Sequence, residues 1–298
     1  MSRFFIISLL KIVLSRRYLL SILVFFGIFS FSPALKAQAL LPYTPELNQD
    51  FFDNYGSQLL QDAVQLTRFQ EYELAVSRAK LAVQLSPNRY EPWFILGTLE
   101  IQSNNLEQGV KALQEAKKLA PQQADVLFSL GNSYFQVGDY EASVKELQAG
   151  LKINTEVPQS YFDLGNAYFK LTKYSEAIAS YQQAVKLEAE FWPAINNIGL
   201  IKYEQGKIDQ AIESWRKALK IDSKQAEPTL AIAVGLYAQG KQEEAVKLGQ
   251  TALKMDNSYG SIEFLKENLW GEKLLNDTRK FFTNKDIEPL VKKETSSN

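Results

Sequence analysis

The sequence of 298 residues contains neither cysteine nor histidine. A chain without cysteine forms no disulfide bond, thiolate nucleophile or thiolate zinc site, and a chain without histidine has no side chain that ordinarily titrates near neutral pH. Serine triads and imidazole metal sites are therefore excluded. No Gly-rich phosphate loop takes their place, and no pair of carboxylates stands in an identifiable pocket. We expect a protein that is not an enzyme and has no catalytic residue, cofactor or metal ion.

Acidic residues are also missing from the N-terminus. All five charged residues among the first 39 are basic, whereas the rest of the chain has 28 basic and 34 acidic residues, a net charge of −6. Proteins that bind nucleic acids rely on clustered Lys and Arg side chains that neutralise phosphates. The acidic body of this chain therefore predicts no nucleic-acid partner.

Residues 1–39 have the order of residues that is typical of an export signal. Basic residues come first, an uncharged stretch runs from Tyr18 to Leu35, and small residues flank a cleavage point after Ala39. As a helix, the uncharged stretch would span roughly 27 Å, close to the roughly 30 Å hydrocarbon layer of a bilayer. A retained anchor that makes the protein membrane-associated, and a cleaved signal that exports it to a lumen or periplasm, are both consistent with this pattern. Residues 40–55 are expected to form a linker.

The body of the chain is dominated by a period of 34 residues. Three registers of small residues recur at this period over six copies. The first consists of Ala63, Gly97, Gly131, Gly165, Gly199 and Ala233, the second of Ala75, Gly109, Ser143, Ala177, Ala211 and Ala245, and the third of Ala82, Ala116, Gly150, Ala184, Ala218 and Ala252. Apolar residues between them follow helical spacing, so each unit is predicted to be two antiparallel helices. Residues that tolerate the left-handed conformation occupy the expected turns, namely Asn104, Gly138, Gly206 and Gly240.

These units resemble the tetratricopeptide repeat (TPR) family, most closely at Pro158–Phe169 and Tyr174–Ala184. The resemblance implies an all-α fold, a right-handed α-solenoid of six TPR helix pairs with a C-terminal capping helix. The expected units are residues 56–89, 90–123, 124–157, 158–191, 192–225 and 226–259. The capping helix is expected at residues 260–282, and residues 283–298 are expected to be a disordered tail.

In this family the first helix of each unit faces a concave groove, which implies a protein or peptide partner. The matching positions carry aromatic rings and amides that would hold an extended or helical peptide: Phe94, Phe128, Asn132, Phe135, Phe162, Asn166, Phe169, Tyr203 and Tyr237. The same residues are common in an average repeat of the family, so they are also consistent with helix packing alone. Three tryptophans, Trp192, Trp215 and Trp270, are expected to be core or cap residues.

A narrower resemblance concerns the two ends of the chain. The N-terminal segment together with the end helix Phe264–Phe281 resembles the cyanobacterial and plastid TPR proteins of the Pitt type. That resemblance implies a scaffold at the thylakoid membrane that stabilises or tethers protochlorophyllide oxidoreductase, an enzyme of chlorophyll synthesis. The alternative is an exported chaperone or assembly factor for photosystem or envelope complexes. The oligomeric state is left open.

Overall fold

The computed structural model describes residues 48–291, and this part of the chain consists of helices joined by short connections. The signal or anchor expected at residues 1–39 lies outside the described residues. Fourteen α-helices follow one another in this part of the chain. They are α1 Gln49–Arg68, α2 Tyr72–Leu85, α3 Tyr90–Gln102, α4 Leu106–Leu119, α5 Ala124–Gln136, α6 Tyr140–Ile153, α7 Pro158–Lys170, α8 Tyr174–Leu187, α9 Trp192–Glu204, α10 Ile208–Ile221, α11 Ala226–Ala238, α12 Gln242–Met255, α13 Ile262–Glu267 and α14 Glu272–Phe282.

The first twelve helices form six antiparallel pairs that stack into a solenoid, as the period of the sequence predicts. Each helix packs most extensively on its pair partner, and the second helix of a unit packs next on the first helix of the following unit. All residues of the three small registers are buried, because they lie where helices cross closely. The left-handed turn conformation occurs at the expected Asn104, Gly138, Gly206 and Gly240, and also at Gln70 and Thr172.

The first helices of the units lie on the inner side of the stack. α1 packs directly on α3, α3 on α5 and α5 on α7, while second helices of neighbouring units make no comparable contact in the described chain. Elements on the inside of a curved stack approach one another more closely than those on the outside. The inner face is therefore formed by α1, α3, α5, α7, α9 and α11, and the convex side by the second helices.

Both ends of the repeat array differ from the sequence-based expectation. Helix α1 begins at Gln49, inside the stretch expected to be a linker. At the other end, the single capping helix expected at residues 260–282 is two helices, α13 and α14, because Leu269 adopts φ +65° and the chain turns there. The tail expected to be disordered is ordered at least to residue 291, where the fully buried Ile287 precedes a short 3-10 helix, Glu288–Leu290.

The expected membrane location needs correction. Among residues 48–291, no helix combines the length and the apolar character needed to cross a bilayer. The segment from Tyr18 to Leu35, on which that expectation was based, is outside this range. The described residues therefore give no support for the membrane-associated, thylakoid or exported location.

Candidate functional site

The inner face of the solenoid carries a ladder of polar side chains that links successive units. Asn166 on α7 accepts hydrogen bonds from Asn197 Nδ2 on α9 at 3.0 Å and from the Tyr181 hydroxyl on α8 at 2.8 Å. One unit earlier, the Asn132 amide on α5 lies beside the Asp163 carboxyl on α7. Burial raises the pKa of Asp163, although the Asn132 amide and a hydrogen bond from Gln159 at 2.8 Å act in the opposite direction. The ladder fixes amide and carboxyl groups along the groove.

Aromatic rings flank this ladder, and those of Phe94, Phe135 and Phe162 remain half-buried on the inner face. The Phe162 ring lies 5.7 Å from the Tyr181 ring and 5.4 Å from the Phe191 ring, measured between centroids. The Phe135 ring lies 5.3 Å from that of Tyr140. These packing contacts hold the rings in place, so a ligand would meet surfaces that are already ordered.

Phe128 differs from Phe94 and Phe162, although all three occupy the same position in their units. Phe128 is only 8% exposed, and its ring lies where a β-carbon on Gly150 would be, about 2.4 Å away. The equivalent positions opposite Phe94 and Phe162 are Ala116 and Ala184. Because Gly150 lacks a β-carbon, the Phe128 ring sinks between α5 and α6 into the core. Its exposed area is too small to serve as a ligand platform.

The remaining predicted groove residues are also buried or covered. Phe169 is buried, and Tyr203 is completely enclosed, donating its hydroxyl proton to Asp277 Oδ2 on α14 at 2.9 Å. The ring of Tyr237 lies 5.1 Å from that of Phe281, also on α14. Burial raises the pKa of the Tyr203 phenol. The chain's own C-terminal helix therefore occupies the inner face over the last two units.

The start of α14 is fixed to the inner face by Glu204 on α9. The Glu204 carboxylate accepts hydrogen bonds from the backbone N–H groups of Lys273 at 3.1 Å and Leu274 at 3.0 Å. A carboxylate at a helix N-terminus satisfies free donors and interacts favourably with the helix dipole. A β-carbon on Gly271 would lie 2.2 Å from the Glu204 side chain, so glycine is required for this approach.

Just before α14, Trp270 crosses the inner face and contacts a buried carboxyl group. Its indole Nε1–H donates to Glu227 Oε1 on α11 at 3.0 Å, and the Asn196 amide lies beside this carboxyl. Both Trp270 and Glu227 are buried. Burial raises the pKa of Glu227 to about 7, because the charged form loses hydration that Trp270 and Asn196 only partly replace.

A cavity of about 250 Å³ remains between the open part of the groove and the C-terminal segment, and we call it the inner cavity. Units three to six and the end of α13 contribute its walls. The lining side chains are Phe135, Phe162, Asn166, Trp192, Pro193, Asn196, Asn197, Glu227, Glu267, Asn268 and Leu269. A second cavity of about 360 Å³ shares Leu269 with the first and is lined by Trp270, Phe169 and Lys170.

Part of this lining was not predicted from the sequence. Asn197 lines the cavity and stands 34 residues after Asp163 of the ladder, so their shared register was a signal for a second inner row. Trp192 was expected to be a core or cap residue but lines the inner cavity, whereas Trp215 and Trp270 are buried. The 34-residue period did not indicate that Glu227, Glu267 or Asn268 would line the cavity, because this lining depends on how the C-terminal segment folds.

Family models identify the repeats directly. A model described as TPR repeat matches residues 131–172, 165–206 and 199–234, and one described as tetratricopeptide repeat matches residues 90–123. The chain therefore carries tetratricopeptide repeats, a fold that serves as a scaffold for protein–protein interaction. The narrower resemblance to Pitt-type proteins is not confirmed.

Solved structures with the same fold come from several proteins. PilF of Pseudomonas aeruginosa is 14% identical with a TM-score of 0.60, and the match covers 73% of this chain and 98% of PilF. MamA from Desulfovibrio magneticus RS-1 is 19% identical with a TM-score of 0.54, covering 57% and 97%. YrrB, a TPR protein with an unusual peptide-binding site, is 18% identical with a TM-score of 0.50, covering 68% and 97%. At these identities the likeness shows the fold alone. No curated protein matches the sequence.

Proposed function

We propose that this protein is a non-enzymatic scaffold that holds an extended segment of a partner protein along the inner face of α3, α5, α7 and α9. The ladder of Asn132, Asp163, Asn166 and Asn197 is the observation that carries the proposal. Side-chain amides at regular spacing hydrogen-bond the backbone of an extended peptide, whatever its sequence. The half-buried rings of Phe94, Phe135 and Phe162 supply apolar contact beside them.

The C-terminal segment limits where the partner binds. Because α14 covers Tyr203 and Tyr237, the open groove extends from the first units to the inner cavity. Helix packing alone accounts for Phe128, Phe169 and Tyr203, which are buried, but it gives no reason for aromatic rings and amides to share a surface in the open units. No observation within residues 48–291 favours protochlorophyllide oxidoreductase over other proteins. The proposed partner is therefore an extended segment of a protein whose identity is left open.

The test begins with peptides selected from a random display library against the intact protein. The affinity of a selected peptide is then measured by calorimetry for the wild type and for the inner-face variants Asn132→Ala and Phe135→Ala. Matched controls are Gln182→Ala and Leu187→Ala, both exposed positions on α8 of the convex side. Circular dichroism and melting temperature establish that each variant is folded.

Burying one aromatic side chain of this size is worth roughly 1.5–3 kcal/mol, so Phe135→Ala should weaken binding by about tenfold or more. Asn132→Ala should weaken it by a smaller factor, since one hydrogen bond contributes about 1 kcal/mol. The two convex-side variants should bind like the wild type. Unchanged affinity in both inner-face variants, or equal losses on the convex side, would refute the proposal.

A further inference from the structure

The inner cavity carries charge of one sign. Among the described residues that line it, the charged side chains are Glu227 and Glu267, and no lysine or arginine is present. The second cavity differs, because Lys170 and Lys266 lie there beside Glu204 and Glu272. The inner cavity is therefore the acidic end of the groove, while its neighbour is balanced.

Aromatic side chains line the same cavity as the two carboxyl groups. They are Phe135, Phe162 and Trp192. The face of an aromatic ring attracts cations, and Trp does so most strongly. Rings and carboxyl groups in one cavity are the combination that recognises a guanidinium or ammonium group, because the rings contact its apolar stem and the carboxylates its charge.

A buried acceptor in the wall gives an independent indication. Asn196 is 1% exposed, and its Oδ1 has no hydrogen-bond partner among residues 48–291. Its Nδ2 donates to Asn197 Oδ1 at 3.2 Å, so the side chain is held by its amide nitrogen while the carbonyl oxygen is left free. A buried acceptor without a donor costs roughly 1–3 kcal/mol. A donor delivered into the cavity would recover this cost.

The volume of the cavity sets the size of the ligand. Sites for small molecules usually measure roughly 300–1,000 Å³, and the inner cavity, at about 250 Å³, is smaller. It opens where the groove meets the C-terminal segment, at the end of the surface proposed to hold a peptide. One long side chain of that peptide would reach it.

We propose that the inner cavity is a subsite for a cationic side chain, arginine or lysine, of the bound peptide. This subsite rests on the peptide-binding function proposed above and adds a preference for a basic residue in the peptide. The guanidinium or ammonium group lies between Glu227 and Glu267 and donates to the Asn196 carbonyl, while its methylene stem packs on Phe162 and Trp192. The groove thereby selects partner segments with a basic residue at one position.

The test uses N-acetyl-arginine-methylamide and its neutral isostere N-acetyl-citrulline-methylamide as probes of the intact protein. Binding is followed at pH 8, where Glu227 is ionised, through the NMR signal of the Trp192 indole N–H. We expect the arginine probe to bind at least about fivefold more tightly than the citrulline probe. In the double variant Glu227→Gln with Glu267→Gln this difference should vanish. The double variant Glu243→Gln with Glu244→Gln, which removes the same charge from the convex helix α12, should retain it.

Equal binding of the two probes, or a difference that persists after both cavity carboxylates are removed, would overturn the subsite. The comparison of probes on the wild type requires no variant, so misfolding cannot obscure the result. A library-selected peptide that depends on Asn132, which lies outside the cavity lining, but tolerates replacement of each of its basic residues would leave the groove proposal intact and remove the subsite alone. Unchanged affinity in both Asn132→Ala and Phe135→Ala would remove the groove proposal itself.

Discussion

The buried carboxyl of Glu227 makes stability depend on pH near neutrality. Its pKa rises from the ordinary 4.5 to about 7 in the folded protein because burial penalises the charged form. The folded state therefore holds this proton more tightly than the unfolded chain. This contribution to stability is fully present below pH 4.5 and is lost as pH rises through 7. At about 1.4 kcal/mol per unit of pKa, the total loss is about 3 kcal/mol.

The side chains that interact most directly with Glu227 do not titrate in the same range. Trp270 and Asn196 carry no charge, and burial raises the pKa of both neighbouring phenols, Tyr181 and Tyr259, so they stay neutral. The variant Glu227→Gln keeps an acceptor for Trp270 and removes the titrating group. Its free energy of unfolding should equal that of the wild type near pH 4.5 and exceed it by up to about 3 kcal/mol at pH 8.

Urea denaturation followed by far-UV circular dichroism between pH 4.5 and 8.5 measures this difference. Glu243→Gln serves as the control, since the Glu243 side chain is 92% exposed and lies 3.7 Å from the Lys247 ammonium group. Its difference from the wild type should stay within a few tenths of a kcal/mol at every pH. If the difference in unfolding free energy between Glu227→Gln and the wild type is constant with pH, or shrinks as pH rises, then burial does not raise the pKa of Glu227.

Three further substitutions test the packing. Phe128→Ala should lower the free energy of unfolding by about 3–5 kcal/mol in urea denaturation, because the ring fills the space left by Gly150, and a loss below 1 kcal/mol would contradict its burial. Gly271→Ala should displace Glu204 from the start of α14 and speed hydrogen exchange of the Lys273 and Leu274 amides, and unchanged exchange would contradict this. Thr172→Gly should raise the melting temperature, since Thr172 holds φ +57° at a cost of about 1 kcal/mol, and a lower value would argue against that strain.

The sequence predicts the six helix pairs because their packing is local and repeated. Every unit must place small side chains where its two helices cross, so the registers of Ala63, Ala75 and Ala82 recur at a fixed period. The choice of small residue within a register also affects the structure. Gly150 stands in the register of Ala116 and Ala184, and this one missing methyl group moves Phe128 from the groove into the core.

The C-terminal segment could not be placed from the sequence in the same way. Its contacts join residues far apart, such as Glu204 with Leu274 and Tyr203 with Asp277, and none of them repeats from unit to unit. A helix that covers the end of a stack and a helix that turns back onto the inner face have similar apolar patterns. The inner cavity depends on that choice, so its carboxyl groups were not predictable from periodicity.

The partner segment is proposed to lie on the inner face of the repeats. Site-specific photo-crosslinking locates it, with a benzophenone amino acid placed at position 135 on α5 or at position 182 on α8 of otherwise intact protein. We expect a library-selected peptide to crosslink at position 135 and not at position 182. Crosslinking at position 182 with none at position 135 would contradict this placement.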